Sequence, residues 1–322
     1  MPYDASYHWL LRMDKIRALV TREAPDVIEH HSPFFATLAG RFLDPTSFRI
    51  RTAFWHGNHL DTFARPWLEQ RVSARSTNFA IAPGWAAMRW LLRGCAAVFT
   101  ASRAEFATLT LHGVNHVHCV PFGVDRSEFQ PRATDREVRT QLNIHEGQRM
   151  LVAAGRLAAE KRWDVAIEAM RYLPEPYKLI IAGDGPERTR LEAQASALPR
   201  KSVTIVPFVK ARNQFAALLS AADAYVHACP YETFGLTVNE AVACGTPVVV
   251  PDRGGAQESG AQGALFRYRA LDARDMAAVT MSASASGVKQ RAIALAASVR
   301  DEKDHVLEVL STYEHLLAEQ AR

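Results

Sequence analysis

Residues 229–250 read Cys-Pro-Tyr-Glu-Thr-Phe-Gly-Leu-Thr-Val-Asn-Glu-Ala-Val-Ala-Cys-Gly-Thr-Pro-Val-Val-Val. Few arrangements satisfy this stretch. Asp223 to Ala228 before it is a short apolar strand that Pro230 closes. Phe234 to Cys244 has helical spacing, with Leu236, Val238, Ala241 and Val242 apolar. Gly245 is a helix stop, Thr246-Pro247 forbids continuation, and Val248 to Val250 is a buried strand. Strand, loop, helix, turn and strand in this order demand a parallel sheet with the helix on one face.

Two carboxylates flank the helix start. Glu232 stands on the loop, and Glu240 follows one to two turns into the helix. A helix N-terminus offers unpaired N–H groups and partial positive charge, which suit a diphosphate. Gly235 lets backbone approach such a ligand closely. Glu240 can accept from ribose hydroxyls and Glu232 from sugar hydroxyls. A nucleotide-sugar carries these parts in that order. The plainer alternative is that Glu232 caps the helix and Glu240 is a solvated helix residue.

Glu232-x7-Glu240, with Phe234-Gly235-Leu236 inside it and Gly245-Thr-Pro-Val after it, resembles the donor signature of retaining glycosyltransferases of family 4. The likeness extends over most of residues 25–265. It implies an α/β GT-B fold, two Rossmann-like domains with parallel sheets facing a cleft. It implies that the two glutamates contact the donor sugar and the nucleotide ribose, with Thr233, Phe234, Gly235 and Leu236 at the donor. It also implies domains at 1–146 on the acceptor side and 147–295 for the donor, with 296–322 a C-terminal helix returning to the first.

At 322 residues the chain has room for two domains. Apolar residues make up 48% and charged residues 22%, as in globular proteins. No apolar run approaches the roughly 18 residues a membrane span needs. Met1-Pro-Tyr-Asp-Ala-Ser lacks the basic-then-apolar form of a signal peptide. Cys95, Cys119, Cys229 and Cys244 show neither metal nor redox spacing and read as thiols, three of them buried. A reducing cytoplasm is the expected compartment. Residues 1–150 hold 18 Lys+Arg against 14 Asp+Glu, so the net charge of +4 lies wholly in that half.

In the first half, helices are expected over Tyr7–Glu23, from Phe34, over Arg65–Arg93 with a break near Pro83-Gly84, and over Ser102–Leu111. Strands are expected over Asp26–His30, Phe48–Phe54, Ala96–Ala101 and Val117–Val120. His31 and His56 both follow strands, at the edge where such sheets bind ligands. The family resemblance places a histidine in the His56 context beside the donor sugar, and makes His56 a candidate catalytic residue. Arg71, Arg75, Arg89 and Arg93, interleaved with Trp67, Phe79, Trp85 and Trp90, suggest a basic, aromatic face within 65–103. Such a face suits peripheral contact with an anionic membrane or a lipid-linked acceptor. The alternative is a solvated helix whose aromatics pack inward, and no nucleic-acid motif accompanies the charge. Residues 126–146 read as a domain connection. A complete first domain of this family would open with a further strand, a glycine-rich turn and more strand–helix units, on the order of 60 residues. They are absent before Asp26, so a sheet edge is expected to be open.

In the second half, strands are expected over Arg149–Ala154, Tyr177–Ala182 and Val203–Val206, with helices over Trp163–Arg171 and Ala211–Ala221, and two more after Val288. Gly155-Arg156 and Lys161 follow the first strand. Two cations at a strand's carboxyl end can neutralise a diphosphate leaving group, and the resemblance assigns them that role. Gly183-Asp-Gly-Pro186 is a tight turn that the resemblance places at the nucleotide. Gly254-Gly255 to Glu258 also resembles a family segment.

The expected reaction is transfer of a sugar, mannose by guess, from GDP-mannose or a UDP-sugar with retention of configuration. Arg156, Lys161 and the helix at Gly235 stabilise the leaving group, while Glu232 and His56 position the sugar. No Asp-x-Asp pair occurs, so neither a metal bridge nor a cofactor is expected. Nothing in the sequence names the acceptor. A nucleotide-sugar-binding protein without turnover is the rival of another class. A phosphorylase would need a pyridoxal-phosphate lysine site, which is not identifiable.

Overall fold

The computed structural model describes residues 12–31, 35–133, 135–200, 202–258 and 262–321. The expected helix from Tyr7 is described from Met13 on, and its first residues lie outside the described ones. Contacts divide the chain into a unit of residues 1–121 with 305–322 and a unit of residues 122–304.

The first unit runs α1 (Met13–Glu23), β1 (Val27–His30), α2 (Phe35–Arg41), β2 (Ile50–Trp55), α3 (Arg65–Glu69), α4 (Ala74–Leu92), β3 (Ala97–Thr100), α5 (Arg103–Leu111) and β4 (Val117–Cys119). All four strands are parallel, in the order β1-β2-β3-β4. Among the described residues β1 pairs with β2 alone. Ala53, Trp55 and Val98 pack against Ile81, Trp85, Met88 and Leu91 of α4. The expected break at Pro83 does not occur, because α4 continues through it. Its buried residues fall at 77, 81, 85, 88, 91 and 92, so Pro83 lies on the solvent side. There a proline's missing hydrogen bond leaves a carbonyl that water can reach. The real interruption is at Ser73, whose hydroxyl caps α4 by accepting from Ser76 N–H.

The second unit runs α6 (Asp135–Gln141), β5 (Arg149–Ala154), α7 (Trp163–Ala169), β6 (Tyr177–Ala182), α8 (Arg188–Ser196), β7 (Val203–Val206), α9 (Arg212–Ala221), β8 (Ala224–Val226), α10 (Leu236–Ala243), β9 (Val248–Pro251), β10 (Leu265–Tyr268), α11 (Ala273–Ala283) and α12 (Val288–Leu295). Helix α13 (Glu302–Gln320) follows, and from His305 on it belongs to the first unit. The six parallel strands are ordered β10-β9-β8-β5-β6-β7. Both faces are buried, which is why β9 reads as an apolar run, and β5 and β6 do so apart from Arg149 and Lys178 near their starts. Met150, Val152 and Ala154 serve one core and Leu151 and Ala153 the other, as the two-residue strand period requires.

Residues 126–146, expected to be a domain connection, instead join this unit. Phe129 and Ile144 are buried in its core, and Val138 and Leu142 of α6 pack on the same cluster. Strand β10 and helix α11 are not evident in the sequence, because Arg267 sits in one and Arg274 and Asp275 in the other. Their apolar residues, Tyr268, Met276 and Ala277, nonetheless close the second core.

Candidate functional site

Strand order fixes where the second unit can bind a ligand. From β5 the chain builds outward to β6 and β7, then returns to place β8, β9 and β10 on the other side. Order therefore reverses between β5 and β8, and open parallel sheets bind ligands beyond the carboxyl ends of the strands at such a reversal. The loop after β5 carries Gly155, Arg156 and Lys161, and the loop after β8 carries Glu232 to Gly235.

These two loops meet. Lys161 Nζ donates to Glu232 Oε2 at 2.7 Å. Burial opposes the charge on both groups, and each overcomes it for the other. The Lys161 ammonium is held above its usual range, and the Glu232 carboxylate below. Glu232 is thus not the helix cap. That position belongs to Gly235, at φ 88°, with no side-chain cap bond to α10.

Backbone fit holds the glutamate loop in place. Gly255 N–H donates to Glu232 O at 2.6 Å. A Cβ on Gly255 would lie 2.1 Å from Thr233 O, so only glycine lets the two segments touch. Leu236 is 45% exposed at the mouth of the helix, whereas Phe234 is buried with its ring edge-on to Phe122 at 5.4 Å. Thr233, just before Phe234, is half-buried.

The loop after β5 is clamped similarly. Trp163 Nε1–H donates to Arg156 O at 2.9 Å. A Cβ on Gly183 would fall 2.0 Å from Gly155 O, so the turns after β5 and β6 need that glycine. The Arg156 guanidinium reaches back to Glu160, four residues on. The expectation of two cations turned to a phosphate is met here by two cations paired with carboxylates. Asp184 acts locally. Its Oδ2 accepts from Phe208 N–H at 2.9 Å and its Oδ1 from Arg188 at 2.8 Å, tying the β6 and β7 loops together.

Glu240 differs from Glu232. It is half-buried, and burial pushes its carboxyl up to about 7, with Arg212 opposing. It is therefore not an ordinary solvated helix residue. Sequence reasoning missed Tyr225. Its buried hydroxyl sits 3.1 Å from Ala154 O and 3.0 Å from Thr237 Oγ1, fastening β5 to the first turn of α10. In sequence it is one more apolar strand residue, which gives no signal of that role.

A candidate metal set was also missed. The ligand atoms of His227, Cys229 and Glu232 lie within 4.8 Å of one another. The donor set argues against a cation. The Lys161 ammonium already occupies Glu232 Oε2, and burial pushes the Cys229 thiol up to about 12. A thiolate is what a soft metal requires.

In the first unit, His31 and His56 come together just beyond β1 and β2. His31 Nδ1 and His56 Nε2 are 2.7 Å apart, and burial, with His31 and His305 nearby, pushes His56 down to about 4. The Arg/Trp segment divides. Trp85 packs inward, stacked on His112 at 3.9 Å, while Trp67, Phe79 and Trp90 are exposed. Arg71 lies over Trp67 at 4.2 Å and Arg41 over Trp90 at 4.6 Å. Among the described residues no helix is long and apolar enough to cross a membrane. The four cysteines are free, three of them buried.

Known proteins resemble this chain in sequence and in fold. The model of Glycosyltransferase Family 4 matches residues 1–128, and that of Glycosyl transferases group 1 matches residues 134–274. A GDP-mannose-dependent alpha-(1-6)-phosphatidylinositol dimannoside mannosyltransferase of Mycobacterium tuberculosis is 33% identical over 253 residues, covering 78% of this chain. The chain spans 63% of that relative's length. A GDP-mannose-dependent alpha-mannosyltransferase of the same species is 34% identical over 54% of this chain and 44% of its own length. Among solved structures, HepE of Anabaena in complex with UDP superposes with TM-score 0.77 at 19% identity, over 94% of this chain and 82% of its own. Sucrose-phosphate synthase of Thermosynechococcus elongatus does so with TM-score 0.79 at 20% identity, over 95% and 77%. With two Rossmann-like parallel-sheet units of the GT-B type and matches in both halves, the chain belongs to glycosyltransferase family 4.

Proposed function

We propose that this chain transfers a hexosyl group from a nucleotide-sugar to a hydroxyl acceptor with retention at the anomeric carbon. The observation that carries the reading is the meeting of Lys161 and Glu232 at the β5–β8 reversal, beside the start of α10. A bound diphosphate faces Lys161, Arg156 and the N–H groups of α10. To reach it, Arg156 exchanges Glu160 for phosphate oxygen. Glu232 accepts from hydroxyls of the sugar, Glu240 from those of the ribose, and His56 from a hydroxyl of the transferred sugar. The bond from the anomeric carbon to the phosphate oxygen breaks, its electrons staying on the diphosphate. The acceptor oxygen bonds to that carbon from the same face, and its proton passes to the leaving phosphate. Positioning and electrostatics supply the rate, and neither a metal nor a cofactor is needed.

GDP-mannose is the donor we favour, because a relative of 33% and one of 34% identity are named for it. Thermal unfolding with a panel of nucleotide-sugars tests the assignment. At a hundredfold excess over Kd, binding adds about 2.7 kcal/mol, so GDP-mannose is expected to raise Tm by several degrees and UDP-glucose by less. EDTA is expected to change neither the shift nor transfer. A panel in which no nucleotide-sugar protects would overturn the reading.

The exposed Trp67, Phe79 and Trp90 beside Arg71 and Arg75 support peripheral contact with an anionic membrane surface on the cytoplasmic side, where a lipid-linked acceptor would be met. Sedimentation with vesicles containing phosphatidylglycerol is expected to carry the protein down at low salt. Phe79→Ser with Trp67→Ser is expected to weaken this severalfold, and equal binding by that variant would remove the idea.

A further inference from the structure

The first unit holds a line of side chains that ends on His56 and whose other members the donor chemistry leaves unexplained. Glu29 stands on β1 and His31 just beyond it, His56 follows β2, and Tyr313 reaches in from α13. Tyr313 Oη donates to Glu29 Oε2. His31 Nε2 lies 2.9 Å from Glu29 Oε1, and His31 Nδ1 lies 2.7 Å from His56 Nε2. Phe54 backs the rings, at 6.1 Å from His31 and 4.7 Å from His56. The parallel register of His30 with Ala53 sets the two strand ends side by side.

We propose that Glu29, His31 and Tyr313 are positioning residues that fix His56 in one tautomer, with Nδ1 as a hydrogen-bond acceptor for a substrate hydroxyl.

The direction of each bond follows from the first. Burial, together with Glu29 alongside, pushes the Tyr313 phenol up, so it stays protonated and donates. A carboxylate only accepts, so His31 carries its proton on Nε2. In neutral imidazole form His31 then has its lone pair on Nδ1, and His56 Nε2–H donates to it. One proton remains for neutral His56, and it is on Nε2, so Nδ1 must accept. Burial, His31 and His305 keep His56 uncharged at neutral pH, so the arrangement persists where the protein works. Reversing His31 reverses His56 with it, because two donors or two lone pairs cannot face each other at 2.7 Å.

The ligand side of this inference rests on the proposed transfer reaction; the tautomer itself does not. Long-range 1H–15N spectra of the 15N-labelled 322-residue chain at pH 7.5 read the tautomers directly. His31 and His56 are both expected almost wholly as Nε2–H, assigned with His31→Asn and His56→Ala. Glu29→Leu is expected to release an Nδ1–H fraction in both rings and to lower kcat/KM for GDP-mannose by about tenfold, one misdirected hydrogen bond's worth. GDP affinity by calorimetry is expected to stay as in the native protein, which general damage to the fold would not allow. Tyr313→Phe removes a single oxygen and is expected to move the tautomers the same way by less. His56 found as Nδ1–H, or tautomers unmoved in both variants, overturns the proposal. Native turnover by His56→Ala would instead overturn the catalytic reading and leave the tautomer assignment standing.

Discussion

Glu232→Ala is expected to lower sugar transfer at least a hundredfold. The carboxylate is the acceptor we assign to the sugar hydroxyls, and losing one preorganised group of this kind typically costs about 10²–10³ in rate. The same substitution has a second effect that must be separated from the first. Glu232 and Lys161 are each about one quarter exposed or less, so removing either leaves a mostly buried charge unpaired. Such losses cost on the order of 3–5 kcal/mol. Glu232→Ala therefore lowers Tm as well. Glu232→Gln keeps the shape and an oxygen for Lys161, so its stability loss is smaller, while transfer falls nearly as far. Lys161→Met with Glu232→Gln removes both charges and recovers stability without activity. Transfer that tracks folded fraction across these variants, with the folded molecules fully active, would show that the pair only holds the two loops together.

How far this site could be read from sequence depends on what each residue's role requires. Strands β5 and β6 appear with the boundaries their apolar runs give, because both faces are covered and the ends are marked by turn residues. Ser102 could be read as a helix start because serine's side chain caps locally, accepting from Glu105 N–H. Strand order is different. Nothing in the sequence of β8 says that it lies against β5 rather than β7, since the choice is settled by how helices cover both faces. Yet that adjacency is what brings Lys161 to Glu232 across 71 residues. Arg156 illustrates the same limit, for its basic character was legible but its pairing with Glu160 was not. Pro83 misled because a proline breaks a helix only where its lost bond and ring cannot be absorbed. Which way it faces is a property of the whole α4 surface, whose buried residues recur every three or four positions on the face away from it.

Donor affinity is expected to rise with pH through about 7, and Glu240 is the cause. Burial, opposed by Arg212, pushes its carboxyl up to about 7. A ribose hydroxyl donates best to the ionised form, so below pH 7 binding must first remove a proton. That linkage makes GDP-mannose bind roughly tenfold more weakly at pH 6 than at pH 8, and roughly thirtyfold more weakly at pH 5.5. The diphosphate of a nucleotide-sugar has no proton to exchange in this range, so the slope belongs to the protein. Calorimetry of GDP-mannose across pH 5.5–8 measures it, and Glu240→Gln is expected to bind weakly and flatly throughout. Stability moves the other way. The folded carboxyl holds its proton to a higher pH than the unfolded one, whose ordinary value is 4.5, so this residue's contribution falls as pH rises from about 4.5 to 7. After allowance for partial exposure the loss is about 1–2 kcal/mol. Glu240→Gln should therefore unfold at a higher temperature than the native protein at pH 8 and at nearly the same temperature at pH 4.5. A flat affinity profile in the native protein, or a slope that survives in the glutamine variant, would assign the ribose contact elsewhere. Burial outweighs the help that Arg212 gives the ionised form of Glu240, so the residue lowers stability at neutral pH. A ribose hydroxyl that donates to the ionised carboxylate offsets that desolvation, which is the role we assign to this side chain.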